Sequence, residues 1–179
     1  CGYKGDKIKD YFSKNKESWN VSCIDTGLET MTGGRLKRVQ KLVNDTFCFT
    51  YGDTLNDLNI KKLIEFHKEQ GRLATVTACN PPEKYGILEI KENKVISFKE
   101  KPEMEKVWVN GGFFVLEPDV FDYIKNDSTV WEKEPMEELT KNNQLNAYKH
   151  CGFYQHMDTS KERKILNELW KKGEAKWKV

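Results

Sequence analysis

Two carboxylates stand where apparent strands run out into loops: Asp53 in Tyr51-Gly52-Asp53 and Asp158 in Met157-Asp158-Thr159. In open α/β sheets the carboxyl ends of strands are where ligands bind. Mg²⁺ takes one or two carboxylates, keeps waters and completes its octahedron with substrate phosphates, so two acids remote in sequence suit an ion bound with a nucleotide. Read alone, Asp53 is also an acid that caps its turn. Gly33-Gly34 followed by Arg35 reads as a glycine-relaxed helix start. Its free N–H groups and adjacent guanidinium would suit an anion such as phosphate, or would simply be solvated. Lys101 precedes Pro102, which holds it in extended backbone and could aim its ammonium. Gly111-Gly112 interrupts an apolar run, where a ligand or another backbone can approach closely. No G-x-x-x-x-G-K-[ST] loop, G-x-S-x-G elbow or Cys/His dyad is present in residues 1–179.

The elements that must position these residues follow from periodicity. Phe47 to Tyr51 is aromatic and β-rich, and reads as a buried central strand ending at Gly52-Asp53. Before it, Asp6 is expected to cap a short helix carrying Ile8, Tyr11 and Phe12. Val21 to Asp25 is expected to be a buried strand, Thr26 to Gly34 a loop, and Arg35 onward a helix with Leu36, Val39, Leu42 and Val43 on one face. After Asp53, Asn59 caps a helix that Gly71 closes, and Leu73 to Ala78 forms a strand. A hairpin turning at Glu92-Asn93-Lys94, a strand within Val107 to Leu116 and helices opening at Pro118 and Pro135 come next. Short strands at Leu145–Lys149 and Phe153–Met157 lead through Asp158-Thr159 into a final amphipathic helix. Helices alternating with strands predict an α/β fold with a mixed, mostly parallel sheet and helices on both faces.

Composition narrows the class. In 179 residues, 30 basic side chains oppose 28 acidic ones, a net charge of +2 that implies no strong field for nucleic acid or membrane. Hydrophobic residues at 37% and charged residues at 32% describe a well-solvated globule with no apolar run of spanning length. Cys1, Cys23, Cys48, Cys79 and Cys151 form no C-x-x-C pair, and read as small buried hydrophobes in a reducing, cytoplasmic setting. His67, His150 and His156 lack helical metal spacing and are expected in structural or surface roles.

Seven ordered motifs carry a resemblance that runs from Cys1 nearly to Val179. They are Cys1-Gly2-Tyr3-Lys4-Gly5, Thr30-Met31-Thr32-Gly33-Gly34-Arg35-Leu36-Lys37-Arg38, Tyr51-Gly52-Asp53, Glu100-Lys101-Pro102, Asn110-Gly111-Gly112-Phe113-Phe114-Val115-Leu116, Trp131-Glu132-Lys133-Glu134-Pro135 and Met157-Asp158-Thr159. Together they resemble the sugar-1-phosphate nucleotidyltransferases, and within them the glucose-1-phosphate cytidylyltransferases. The resemblance implies a Rossmann-like nucleotidyltransferase fold, a single domain over residues 1–179, and a homo-oligomer. It also implies a reaction joining CTP and α-glucose 1-phosphate to give CDP-glucose and pyrophosphate, for surface polysaccharide. Thymidylyl or uridylyl transfer on the same fold, or a non-catalytic binding module, are the alternatives. By the same resemblance Asp53 and Asp158 hold Mg²⁺, while Thr30, Arg35 and Gly52 contact the nucleotide. Glu100, Lys101 and Asn110 face the sugar phosphate, with Lys101 counted among the catalytic groups. The family pattern opens with a strand and a Gly-rich, arginine-bearing phosphate loop and has a longer early connection. None of these is in residues 1–179, so these residues alone are expected to be inactive. The chemistry is coherent with few histidines and cysteines: a sugar phosphate with a second pKa of about 6 is already a dianion at neutral pH and needs no general base. Positioning and charge neutralisation then carry the rate.

Overall fold

The structure is a computed structural model that describes residues 1–80, 87–99 and 107–178, without the side chains of residues 87, 88 and 99. The chain is mixed α/β. Its elements are α1 (Gly5–Lys14), α2 (Thr32–Arg38), β1 (Phe47–Thr50), β2 (Thr54–Asn56), α3 (Ile60–Gln70), β3 (Ala74–Cys79), β4 (Ile87–Lys91), β5 (Lys94–Lys99), β6 (Val109–Leu116), α4 (Glu134–Lys141), β7 (Leu145–His150), β8 (Tyr154–His156) and α5 (Ser160–Lys172). Short 3₁₀ turns cover Gln40–Leu42 and Pro118–Tyr123. One four-stranded sheet has the order β1-β6-β3-β7, while β2 pairs with β8 and β4 with β5. The hairpin lies where the sequence places it, and Glu92 and Asn93 both take positive φ, as a two-residue primed turn demands.

Contacts divide the chain into two compact units. The first comprises Cys1–Phe49, His67–Thr75 and Val115–Asn146. Its core gathers Leu36, Val115, Leu116, Val120, Phe121, Ile124, Trp131 and Leu139. Phe47 stacks on Phe121 at 5.7 Å, and Phe49 meets the Trp131 ring edge-on at 6.1 Å. Within this unit His67 is buried, its Nδ1 2.8 Å from Thr75 Oγ1 and its Nε2 3.0 Å from Glu117 Oε1. The structural role expected for this histidine is the one it has.

The second unit comprises Thr50–Phe66, Val76–Phe114 and Ala147–Val179. Leu63, Val76, Ala78, Cys79, Phe114 and Leu166 are buried in it, and Phe66 packs edge-on against Tyr148 at 5.3 Å. Asn59 caps α3 through its side chain, accepting from Lys62 N at 3.0 Å. Thr159 and Glu162 close a reciprocal capping box at the start of α5, and Gly173 ends that helix at φ 74°.

Several sequence expectations are corrected. Among the described residues β1 pairs with β6, and it is half-buried, not fully buried: Cys48 and Thr50 face outward while Phe47 and Phe49 face inward. Alternation along a strand is what one covered face produces. The stretch 21–25 is not a strand; it is tied instead to Cys1, which donates from its nitrogen to Ile24 O and accepts from Thr26 N. Asp6 does not cap α1, because the helix has already begun at Gly5 after Lys4 in the left-handed region. Asp6 instead puts its charge in the first turn, where the helix dipole favours an acid. α2 ends at Arg38, and Leu42 is exposed on the 3₁₀ turn that follows rather than buried on a longer helix. The segment opened by Pro118 is likewise a 3₁₀ turn. Cys79 is buried as expected, whereas Cys48 and Cys151 are exposed.

Candidate functional site

The second unit assembles the two candidate metal acids from a three-residue ladder. β2 and β8 pair antiparallel with Thr54 opposite His156, Leu55 opposite Gln155 and Asn56 opposite Tyr154. The ladder continues one step further, since Met157 N donates to Asp53 O at 2.9 Å. Asp53 therefore lies across from the residue that precedes Asp158, and the two acids share one end of the ladder although they are remote in sequence.

Tyr154, on the same ladder, senses both acids. Burial first, then the neighbouring charges of Cys79, Asp158 and Asp53, pushes its phenol above the ordinary tyrosine value. Both carboxylates thus act on one side chain of one unit. Asp53 and Gly52 are exposed, as a ligand-facing turn requires.

The turn after β7 is pinned to the residues that follow β2. Asp57 Oδ1 accepts from Phe153 N at 2.7 Å and lies 3.0 Å from His150 Nε2. A Cβ on Gly152 would collide with Asp57 Oδ1, so glycine is what lets this turn close.

Gly111 and Gly112 provide the close approach that the sequence suggests, with protein as the partner. A Cβ at Gly111 would stand 2.5 Å from Cys79 Sγ, and one at Gly112 2.6 Å from Tyr51 Cδ2. Tyr51 N donates to Gly112 O at 2.9 Å, which fixes the strand end that carries Gly52 and Asp53. Asn110 is exposed, yet its amide is oriented at both ends: Nδ2 donates to Tyr51 Oη at 3.0 Å and Oδ1 accepts from Gly112 N at 2.9 Å.

Thr30 and Arg35 belong to the first unit. α2 begins at Thr32, so Gly33 and Gly34 lie inside its first turn and are buried, not open before it. Gly34 N donates to Thr129 O at 3.2 Å, and a Cβ at Gly33 would stand 2.8 Å from that same oxygen. The glycines serve packing against residues 127–129, and the Gly34 N–H is taken up by Thr129 rather than left free. Arg35 donates through Nη1 to Thr26 Oγ1 at 2.7 Å and Gly27 O at 2.8 Å, and through Nη2 to Leu28 O at 3.1 Å. Its guanidinium thereby shapes the loop that leads to the buried Thr30. Asp25 tightens the same loop by accepting from Gly27 N at 2.9 Å, which holds its carboxyl below the usual range. Glu100 and Lys101 lie outside the described residues.

Sequence reasoning gives His156 no part in the site and passes over Glu162. His156 Nε2 is 3.1 Å from Glu162 Oε1 and 3.8 Å from Asp158 Oδ2. The signal that could have found them is Thr159-x-x-Glu162, a capping-box spacing that fixes the glutamate beside the strand end bearing His156. No described helix is long and apolar enough to cross a membrane.

A family model described as nucleotidyl transferase matches residues 4–177. A glucose-1-phosphate cytidylyltransferase of Salmonella typhimurium is 46% identical over 203 residues, covering 100% of this chain and 79% of that protein. A UTP–glucose-1-phosphate uridylyltransferase of Synechocystis sp. is 34% identical over 140 residues, covering 66% of this chain and 36% of that protein. Among solved structures, HddC from Yersinia pseudotuberculosis gives a TM-score of 0.66 at 21% identity, covering 94% of this chain and 76% of that one, a likeness of fold.

Proposed function

The chain belongs to the nucleotidyl transferase family, and from that premise we propose that it transfers the cytidylyl group of CTP to α-glucose 1-phosphate, releasing pyrophosphate. The observation that carries the reading is the β2–β8 ladder, whose end bears both Asp53 and Asp158. Two carboxylates at one ladder end are a donor set that suits Mg²⁺ together with phosphate oxygens. When bound there, the ion would neutralise charge on the α-phosphate and the departing pyrophosphate.

The residues then divide the work. A phosphate oxygen of the sugar attacks the α-phosphorus of CTP, and the bond from that phosphorus to the pyrophosphate oxygen breaks, so no proton need be removed first. Gly52 leaves the approach to Asp53 open: among the described residues, none beyond its chain neighbours lies within 4 Å of where its Cβ would be. Asn110, locked by Tyr51 and Gly112, offers an oriented amide to the sugar. Lys101 and Glu100 would face the sugar phosphate. Thr30 and Arg35 serve the nucleotide, Arg35 by holding residues 26–28 in shape. The same reading makes the protein a cytoplasmic homo-oligomer.

The test offers CTP, UTP and dTTP separately to the protein as the cell makes it, with any sequence that flanks residues 1–179, together with glucose 1-phosphate and Mg²⁺, and identifies the sugar nucleotide by mass. CDP-glucose formed in clear preference supports the reading. Preference for UTP or dTTP would overturn the choice of base.

A further inference from the structure

We propose that His156, Asp158 and Glu162 form a binding site for a transition-metal ion of the Zn²⁺ class, which shares only Asp158 with the magnesium position built on Asp53 and Asp158. One ligand atom from each residue lies within 4.8 Å of the others. Zinc–nitrogen and zinc–oxygen bonds of about 2.0–2.2 Å at tetrahedral angles place neighbouring ligand atoms ~3.3–3.6 Å apart. The separations from His156 Nε2, 3.1 Å to Glu162 Oε1 and 3.8 Å to Asp158 Oδ2, bracket that value.

Glu162 is oriented as a ligand should be. Its Oε2 accepts from Asp158 N at 3.0 Å, Thr159 N at 2.9 Å and Thr159 Oγ1 at 3.0 Å. Those bonds turn Oε1 toward His156 and hold it there, in the way that outer hydrogen bonds orient ligating carboxylates. The side chains of Glu162 and His156 are 10% and 22% exposed, whereas Asp158 is 61% exposed. The set is therefore covered on two sides and open on the third, where water or a phosphate oxygen could complete the shell. An imidazole in the set favours zinc-like ions, while Mg²⁺ prefers oxygen donors alone. Because Asp158 would serve both ions, they would exclude one another; this consequence rests on the proposed function, but the binding does not.

Cobalt(II) is the probe, titrated into the metal-free protein and followed by its visible absorption, with Zn²⁺ added to displace it. Wild-type protein should bind Co²⁺ at this site, and His156→Gln and Glu162→Gln should each weaken binding by more than the roughly 10–100-fold that loss of a ligand's outer hydrogen-bond partner costs. Asp53→Asn should weaken it less than either ligand change does, because Asp53 is not one of the three ligands. Zn²⁺ should raise the melting temperature of the wild type and not that of His156→Gln, which keeps the test readable if Glu162→Gln loosens its helix. Absence of Co²⁺ binding, an unchanged titration in His156→Gln, or a loss in Asp53→Asn as large as in His156→Gln would overturn the proposal.

Discussion

Gly112→Ala probes how the strand end bearing Asp53 is held. Gly112 has φ of 72°, and the added Cβ would stand 2.6 Å from Tyr51 Cδ2 and 3.2 Å from Thr54 Oγ1. Carbon atoms rest about 3.5–4.0 Å apart, so the ring must withdraw by ~1 Å. Left-handed backbone costs a non-glycine residue roughly 1–2 kcal/mol. Overpacking adds about 1–3 kcal/mol, for a total of about 2–5 kcal/mol. Tyr51 cannot withdraw freely, because its backbone N donates to Gly112 O at 2.9 Å and its hydroxyl accepts from Asn110 at 3.0 Å. Gly71→Ala is the control: φ is 61° there and, among the described residues, none beyond its chain neighbours lies within 4 Å of the added Cβ, so only the backbone cost of about 1–2 kcal/mol applies. Urea denaturation of both variants separates the contact from the backbone. Turnover of Gly112→Ala should also fall about 10–100-fold, because a displacement of this size next to a reacting centre is enough to do so. Equal destabilisation of the two variants, with turnover intact, would refute the reasoning.

Arg35→Lys should fail to replace Arg35, since one ammonium cannot reach Thr26, Gly27 and Leu28 together; the CTP KM should rise while the glucose 1-phosphate KM holds. His67→Leu should cost about 2–4 kcal/mol in equilibrium unfolding, because Thr75 Oγ1 and Glu117 lose a buried partner. Burial pushes the Cys79 thiol from 9.0 up to about 11. Its neutral form is favoured on folding, so that contribution is full below pH 9.0 and disappears as pH rises through about 11; Cys79→Ala should flatten this part of a stability–pH curve. At neutral pH a thiol reagent should modify the exposed Cys48 and Cys151 and spare Cys79, as read by mass after digestion.

The elements with strong local signals are legible in the sequence. Asn59 and Gly71 bracket α3, and the Glu92-Asn93 turn marks its hairpin, because capping and positive φ act within a few residues. How a strand's faces are covered is not legible. Phe47 to Thr50 looks fully buried by composition, yet Cys48 and Thr50 face outward, because which face is covered is decided by pairing and packing with distant residues. Gly33-Gly34 shows the same limit. Glycine announces a close approach, but whether to a phosphate or to Asp127 and Thr129 depends on a part of the chain far away in sequence. For the site, the two acids are legible as carboxylates that follow strands. The grouping of His156 with Glu162 is not, because their meeting depends on how β8 turns into α5.

The central claim is that Asp53 and Asp158 act as one unit, and a double-mutant cycle on turnover tests it most directly. Asp53→Asn, Asp158→Asn and the double variant should each lose about the same factor in kcat, because removing either acid already disables a shared ion position. CTP-dependent pyrophosphate release measured at saturating Mg²⁺ gives the three values. Losses that multiply in the double variant would mean that the two carboxylates act independently, and would contradict the account.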